Sequence, residues 1–163
     1  MTRIGFAVFL AVLACPAAAQ EVPSSFPLGK AFKGVSISGF DVQKSGITLT
    51  VTRDQTNRRV MAAGSAGCNN YTATFMFRDD AQFDVSDVVS TKRFCGKPRM
   101  TTEDAFLTTL RTAHRWRIDD KNRLVLEGEA GRLLLTAGAT AGDKKPGKKS
   151  ENNKPNPRQQ AGR

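Results

Sequence analysis

Residues 66–75 read AGCNNYTATF, and Cys95 follows 27 positions after Cys68 inside STKRFCGKP. Four chemistries compete for that first stretch: a metal site, a reactive thiol, a glycosylation sequon and one half of a disulfide. A metal site needs three or four ligands. Beyond residue 20 the chain offers only His114 besides the two cysteines, with no Cys-x-x-Cys or His-x-x-x-His spacing. Neither cysteine lies in a nucleophile signature that would make His114 its base. Asn70-Tyr71-Thr72 matches the Asn-x-Thr acceptor, a tripeptide that arises often by chance. In an oxidising compartment an even pair favours a Cys68–Cys95 disulfide, with free structural thiols and a reactive or metal-bound pair as the alternatives. Such a bridge stabilises a fold by roughly 3–4 kcal/mol in the chain-entropy view, a large share of the ~5–15 kcal/mol that domains possess. Asn69 and Asn70 are expected to shape a bend as the chain enters a strand, because asparagine tolerates the left-handed backbone region.

Other reactive side chains offer less. Glu103 and Asp104 are adjacent carboxylates, but neighbours on a helix point in different directions, and both suit the first turn of a helix. His114 stands without a nucleophile or metal cluster. Ser90-Thr91-Lys92 is not Ser-x-x-Lys, and no glycine-rich phosphate loop occurs. No catalytic residue, cofactor or metal is expected, and the chain is read as a non-enzyme.

The ends of the chain set the compartment. Arg3, an apolar or glycine stretch over 4–14 and Ala17-Ala18-Ala19 together make a secretory signal peptide over residues 1–20. A lipobox reading, with Cys15 acylated, is the alternative. Periplasmic or secreted localisation is therefore expected. At the other end, 138–163 has no aromatic and no Val, Ile or Leu, and is expected to be a disordered basic tail. Its seven basic residues, Lys144, Lys145, Lys148 and Lys149 among them, face only Asp143 and Glu151, giving +5 of the total +10. Export argues against nucleic acid as the partner of this charge. An anionic envelope surface fits the tail better, and so does a merely solubilising role.

Residues 21–137 make one domain of mostly strand character, expected as a monomer. The runs 47–51 and 71–77 alternate strictly, aligning Ile47, Leu49 and Val51 on one face and Tyr71, Ala73, Phe75 and Phe77 on another. Shorter runs lie at 35–42, 59–63, 82–85, 115–118, 124–126 and 132–136, separated by turn clusters. Short strands joined by tight turns imply antiparallel hairpins. One segment differs: Thr101 or Thr102 as a hydroxyl cap, then Phe106, Leu107 and Leu110 at helical spacing, predict a helix over 102–113. The expected fold is α+β but mainly β: a curved antiparallel sheet or partial barrel packed against one helix. Phe75, Phe77, Phe83, Leu107 and Trp116 are expected in its core rather than around an apolar ligand.

GCNNYTATF, TKRFC at 91–95, Met100, EDAFLTTL at 103–110, Trp116 with the pattern that follows it, and G..LLLT at 131–136 resemble the META domain family. That group includes the heat-shock-associated, HslJ-like envelope proteins, and the resemblance covers about 27–137. It implies a compact β domain with one helix, export, no established enzymatic activity, and structural roles for Gly67, Cys68, Asn69, Thr91, Cys95, Glu103, Phe106, Leu107 and Trp116. The basic tail departs from the family pattern. Two functions are compatible with this reading. One is a non-enzymatic envelope protein with a stress-related or binding role. The other is an inhibitor or accessory factor for an exported enzyme or secretion component, with Arg58, Arg59, Lys92, Arg93, Lys97 and Arg99 steering an acidic partner unless they merely protect strand edges.

Overall fold

The computed structural model describes residues 22–138. The expected signal peptide, Cys15 and the tail lysines 144, 145, 148 and 149 lie outside the described residues. Within the described residues, nine strands and one helix follow in chain order. β1 (Ala31–Ile37), β2 (Phe40–Asp41), β3 (Thr48–Arg53), β4 (Val60–Ser65), β5 (Asn70–Phe77) and β6 (Phe83–Ser90) precede α1 (Lys97–Arg111). β7 (Ala113–Ile118), β8 (Leu124–Gly128) and β9 (Gly131–Ala137) come after it.

All pairings are antiparallel, in the order β6-β5-β4-β3-β1-β9-β8-β7, with β2 beside β1. The sheet curls until its two ends meet at one corner, where Gln82 bridges Arg115 and the Trp116 backbone N–H donates to the Ala81 carbonyl at 2.9 Å. The result is a nearly closed barrel. The chain leaves β6, runs through α1 and returns in β7, so the helix connects the two sheet ends and packs against β6, β8, β9 and β1. Curved antiparallel sheet plus one helix is the architecture the sequence predicts. Among the described residues no helix is long and apolar enough to cross a membrane.

Alternation places the core. Ile47, Leu49 and Val51, and Tyr71, Ala73, Phe75 and Phe77, are all buried, as their period of two requires. Phe26 stacks edge-on against Phe77 (4.7 Å between centroids) and Trp116 (5.0 Å), while Phe75 meets Phe83 at 4.9 Å. α1 adds Phe106, Leu107 and Leu110, with Phe106 edge-on to Tyr71 at 5.1 Å. Burying each such side chain contributes about 1.5–3 kcal/mol relative to exposure. The expectation of a packed interior for Phe75, Phe77, Phe83, Leu107 and Trp116 holds.

Two element boundaries differ from the sequence reading. The run 35–42 is not one strand: Ser38 (φ 48°) and Gly39 (φ 93°) form a two-residue turn that folds β2 back on β1. The helix begins five residues earlier than 102, with Gly96 as N-cap and Pro98 in the first turn. Proline there sacrifices no hydrogen bond, because the first helical N–H groups lack partners in any case. The Thr101 and Thr102 hydroxyls do not cap; they donate back to the Lys97 and Pro98 carbonyls inside the helix. Thr112 caps the other end at once before β7, so the helix stops short of 113.

Tyr71, the chain's single tyrosine, donates its buried hydroxyl to the Thr48 carbonyl at 3.1 Å. Burial pushes its phenol far above the ordinary 10.0. The folded state therefore holds this proton more tightly than the unfolded chain. Its contribution is complete below the unfolded value near 10 and is lost as pH rises beyond it. Urea midpoints across that range should fall more steeply for the wild type than for Tyr71→Phe. Parallel slopes would contradict the buried phenol.

Candidate functional site

The sequence's reactive stretches converge at one junction, where the start of β5 meets the loop 91–96 and the first half of α1. Cys68 and Cys95 form a disulfide with Cα atoms 5.8 Å apart. Each half-cystine has a glycine beside it in the left-handed region, Gly67 at φ 105° and Gly96 at φ 85°. A β-carbon at Gly67 would also approach the Ser45 carbonyl.

Asn69, next to Cys68, is buried and uses its whole side-chain hydrogen-bonding capacity. Its Nδ2 donates to the Arg93 carbonyl (3.1 Å) and to Glu103 Oε1 (2.9 Å). Its Oδ1 accepts from the Thr91 hydroxyl (2.8 Å) and from the Arg93 N–H (2.7 Å). The Asn69 N–H donates to Glu103 Oε2 at 2.7 Å, so one carboxylate brackets one residue. Thr91 Oγ1 also accepts from the Asn70 N–H, and the Arg93 guanidinium donates to the Cys68 carbonyl at 2.9 Å. Strand, loop and helix are thus joined by one covalent bond and a continuous polar network.

Two sequence expectations are corrected here. Asn69 and Asn70 do not adopt left-handed backbone; Gly67 takes that role, and Asn69 works through its side chain. Glu103 is not a first-turn acid, since the helix has begun well before it and its first turn contains none. Glu103 is turned inward onto Asn69, while Asp104 faces solvent, as neighbouring helical positions must. Phe106, Leu107 and Trp116 lie in the core rather than at the junction. His114 is exposed on β7, its Nδ1 3.2 Å from the Thr112 carbonyl. Among the described residues no three His, Cys, Asp or Glu side chains gather as a metal-holding group.

Outside the junction, larger grooves mark the surface of the described residues. One, of about 770 Å³, runs over the outer face of β7–β9 and carries Arg117, Arg123, Arg132, Asp119, Asp120 and Glu127. Its charges neutralise one another: Arg123 Nε donates to Asp119 Oδ2 at 2.8 Å, and Glu127 faces both Arg117 and Arg132. The Arg123 bonds hold the Asp119 carboxyl below the usual range, helped by the N–H groups of Arg123 and Lys121. The second groove, of about 700 Å³, separates α1 from the β1–β2 hairpin, with Ile37, Phe40, Val42 and Ala105 along it. A shallower depression of about 320 Å³ lies at the junction itself, between Phe94, Met100 and Lys92. The exposed Phe40 and Phe94 were missed as surface features by the sequence reading. For Phe94 the signal was available: an aromatic flanked by Lys92-Arg93 and lying outside any alternating run.

The profile described as META domain matches residues 26–141. An NMR structure of a protein from Burkholderia xenovorans is similar at 22% identity, covering 68% of this chain and 78% of that one, with a TM-score of 0.47. A second NMR structure, at 14% identity, covers 66% of this chain and 88% of the other with a TM-score of 0.50, and shows the fold alone. No curated protein matches the chain.

The junction predicts a specific energetic coupling. Asn69→Ala removes four side-chain bonds and leaves Arg93 and Glu103 short of partners, at a cost of about 3 kcal/mol. Glu103→Ala should be comparably destabilising. In a double-mutant cycle read by urea unfolding, the two changes should couple by more than about 1 kcal/mol. Additive losses would show that the two side chains do not act as a unit.

Proposed function

The chain belongs to the META domain family, and on that premise we propose that it is a non-enzymatic binding domain acting outside the cytoplasm, at the bacterial cell envelope. One observation carries the compartment: the Cys68–Cys95 disulfide, integral to the junction that fixes the helix to the sheet. Structural disulfides persist in oxidising compartments and are rare in the cytosol. The signal-like residues 1–20 point the same way. The non-enzymatic part is supported by how the reactive side chains are employed. Both sulfurs are bonded to each other, Glu103 is engaged by Asn69, and His114 stands apart in solvent. A stress-related role is a property of heat-shock-associated relatives and comes to this chain by family alone.

A second reading, an inhibitor or accessory factor for an exported enzyme or secretion component, is favoured by the exposed cations Lys92, Arg93, Lys97 and Arg99 around one loop. It requires an acidic protein that co-purifies in fixed stoichiometry from the periplasm.

The compartment is tested by the intact mass of the chain recovered from the envelope, before and after reduction and alkylation. A chain beginning near Gln20 that takes up two alkyl groups only after reduction is the expected result. A mass beginning at Cys15 with acyl chains would make it a lipoprotein. Cytoplasmic recovery with both thiols free would sink the proposal.

A further inference from the structure

Phe94 stands between two residues that the junction holds in place. Arg93 has both its N–H and its carbonyl bound to the Asn69 amide, and Cys95 is bonded to Cys68. With both neighbours fixed against the body of the domain, the Phe94 ring cannot fold back and is 84% exposed. An apolar ring held in water forgoes the gain that burial would bring. The charge carried by the loop itself is of one sign. Lys92, Arg93, Lys97 and Arg99 are all exposed, and no Asp or Glu occurs from residue 88 to residue 102. The next acid, Glu103, is buried beneath the loop. Among the described residues none of these four cations is in a salt bridge.

We propose that the loop 91–99 is a contact for an anionic lipid surface. Phe94 enters the boundary between headgroups and acyl chains, while Lys92, Lys97 and Arg99 lie against the lipid phosphates. This rests on the reading that the chain acts at the envelope. The cations suit an acidic protein as well as a lipid surface, and the isolation of the ring favours lipid. Protein hot spots are aromatic anchors seated within a broad, water-excluding patch. Here a single ring projects among cations, with only the half-buried Met100 beside it in the depression. A lone aromatic ringed by Lys and Arg suits the bilayer interface, where the ring is accommodated at headgroup depth and each cation strengthens binding roughly fivefold. The Arg93 side chain is partly committed to the Cys68 carbonyl and serves mainly to hold the loop.

The test introduces a fluorophore at the tip with Phe94→Trp in the full chain. The chain's single native tryptophan, Trp116, is buried, and the wild-type spectrum supplies its background. Vesicles of phosphatidylcholine, with and without phosphatidylglycerol, are the probe. The emission of the introduced indole should shift to the blue on the acidic vesicles and not on phosphatidylcholine alone. Combining it with Lys92→Glu and Lys97→Glu should weaken the titration more than tenfold. Three results overturn the proposal. One is an unshifted emission while the chain still sediments with acidic vesicles, which places lipid binding elsewhere in the chain. Another is an equal shift on neutral vesicles. The third is indifference to lipid together with a fixed-stoichiometry complex through this loop with an acidic protein. An exported, disulfide-bonded chain without the blue shift overturns the lipid contact and leaves the function proposed above standing.

Discussion

A buried amide offers two donors and two acceptors, and it can leave water only where four partners are already arranged around it. Asn69 meets that condition with bonds to Thr91, to both backbone groups of Arg93 and to Glu103. Those partners come from the loop after β6 and from α1, while Asn69 itself sits where the chain enters β5, so three pieces of chain meet at one amide. The Asn69 side chain therefore reports whether all three are in register. The adjacent disulfide works on the unfolded chain, by restricting the segment between Cys68 and Cys95. The amide network works on the folded chain, by selecting one arrangement of the ends that the bridge brings together.

The barrel explains why this junction sits where it does. A sheet that curls without closing has two free edges, and unpaired edges invite association with other chains. Here β6 and β7 meet at only one corner, through Gln82–Arg115 and the Trp116 backbone N–H. A bulge at Asp87 (φ 50°) bends the remainder of β6, and the chain between the two edges is α1 itself. Fixing the N-terminal half of α1 to the start of β5 holds the helix across the opening. Its apolar face, Phe106, Leu107 and Leu110, then completes the core. The same bonds leave the loop between β6 and α1 rigid and outward-facing.

Much of this was legible in the residues. Alternation in 47–51 and 71–77 gave the buried faces correctly because a half-buried strand imposes a period of two. The cysteine pair and the helical spacing of Phe106, Leu107 and Leu110 were equally plain. Two of the misreadings share one cause: a polar residue was assigned its local role when a long-range partner had claimed it. Glu103 resembled a first-turn acid, but its partner Asn69 is 34 positions away. Asn69 resembled a turn former, and its partners lie 22 to 34 positions distant. Local propensity is blind to such contacts. Thr101 and Thr102 resembled caps, but the helix begins earlier, with Gly96 as its N-cap, and both hydroxyls bond carbonyls one turn back. The Ser38-Gly39 hairpin was missed for a different reason: it interrupts a run whose residues suit a strand on both sides.

The central claim is that the loop between β6 and α1, though at the surface, is locked to the interior through Asn69. Amide hydrogen exchange at Arg93 measures it most directly, with the disulfide intact and then reduced. In the intact protein the Arg93 N–H should exchange as slowly as amides of β5, because Asn69 Oδ1 holds it. After reduction it should remain slower than the N–H groups of Lys92 and Phe94. If Arg93 exchanges as fast as those neighbours in the intact protein, the loop is not locked and the account fails.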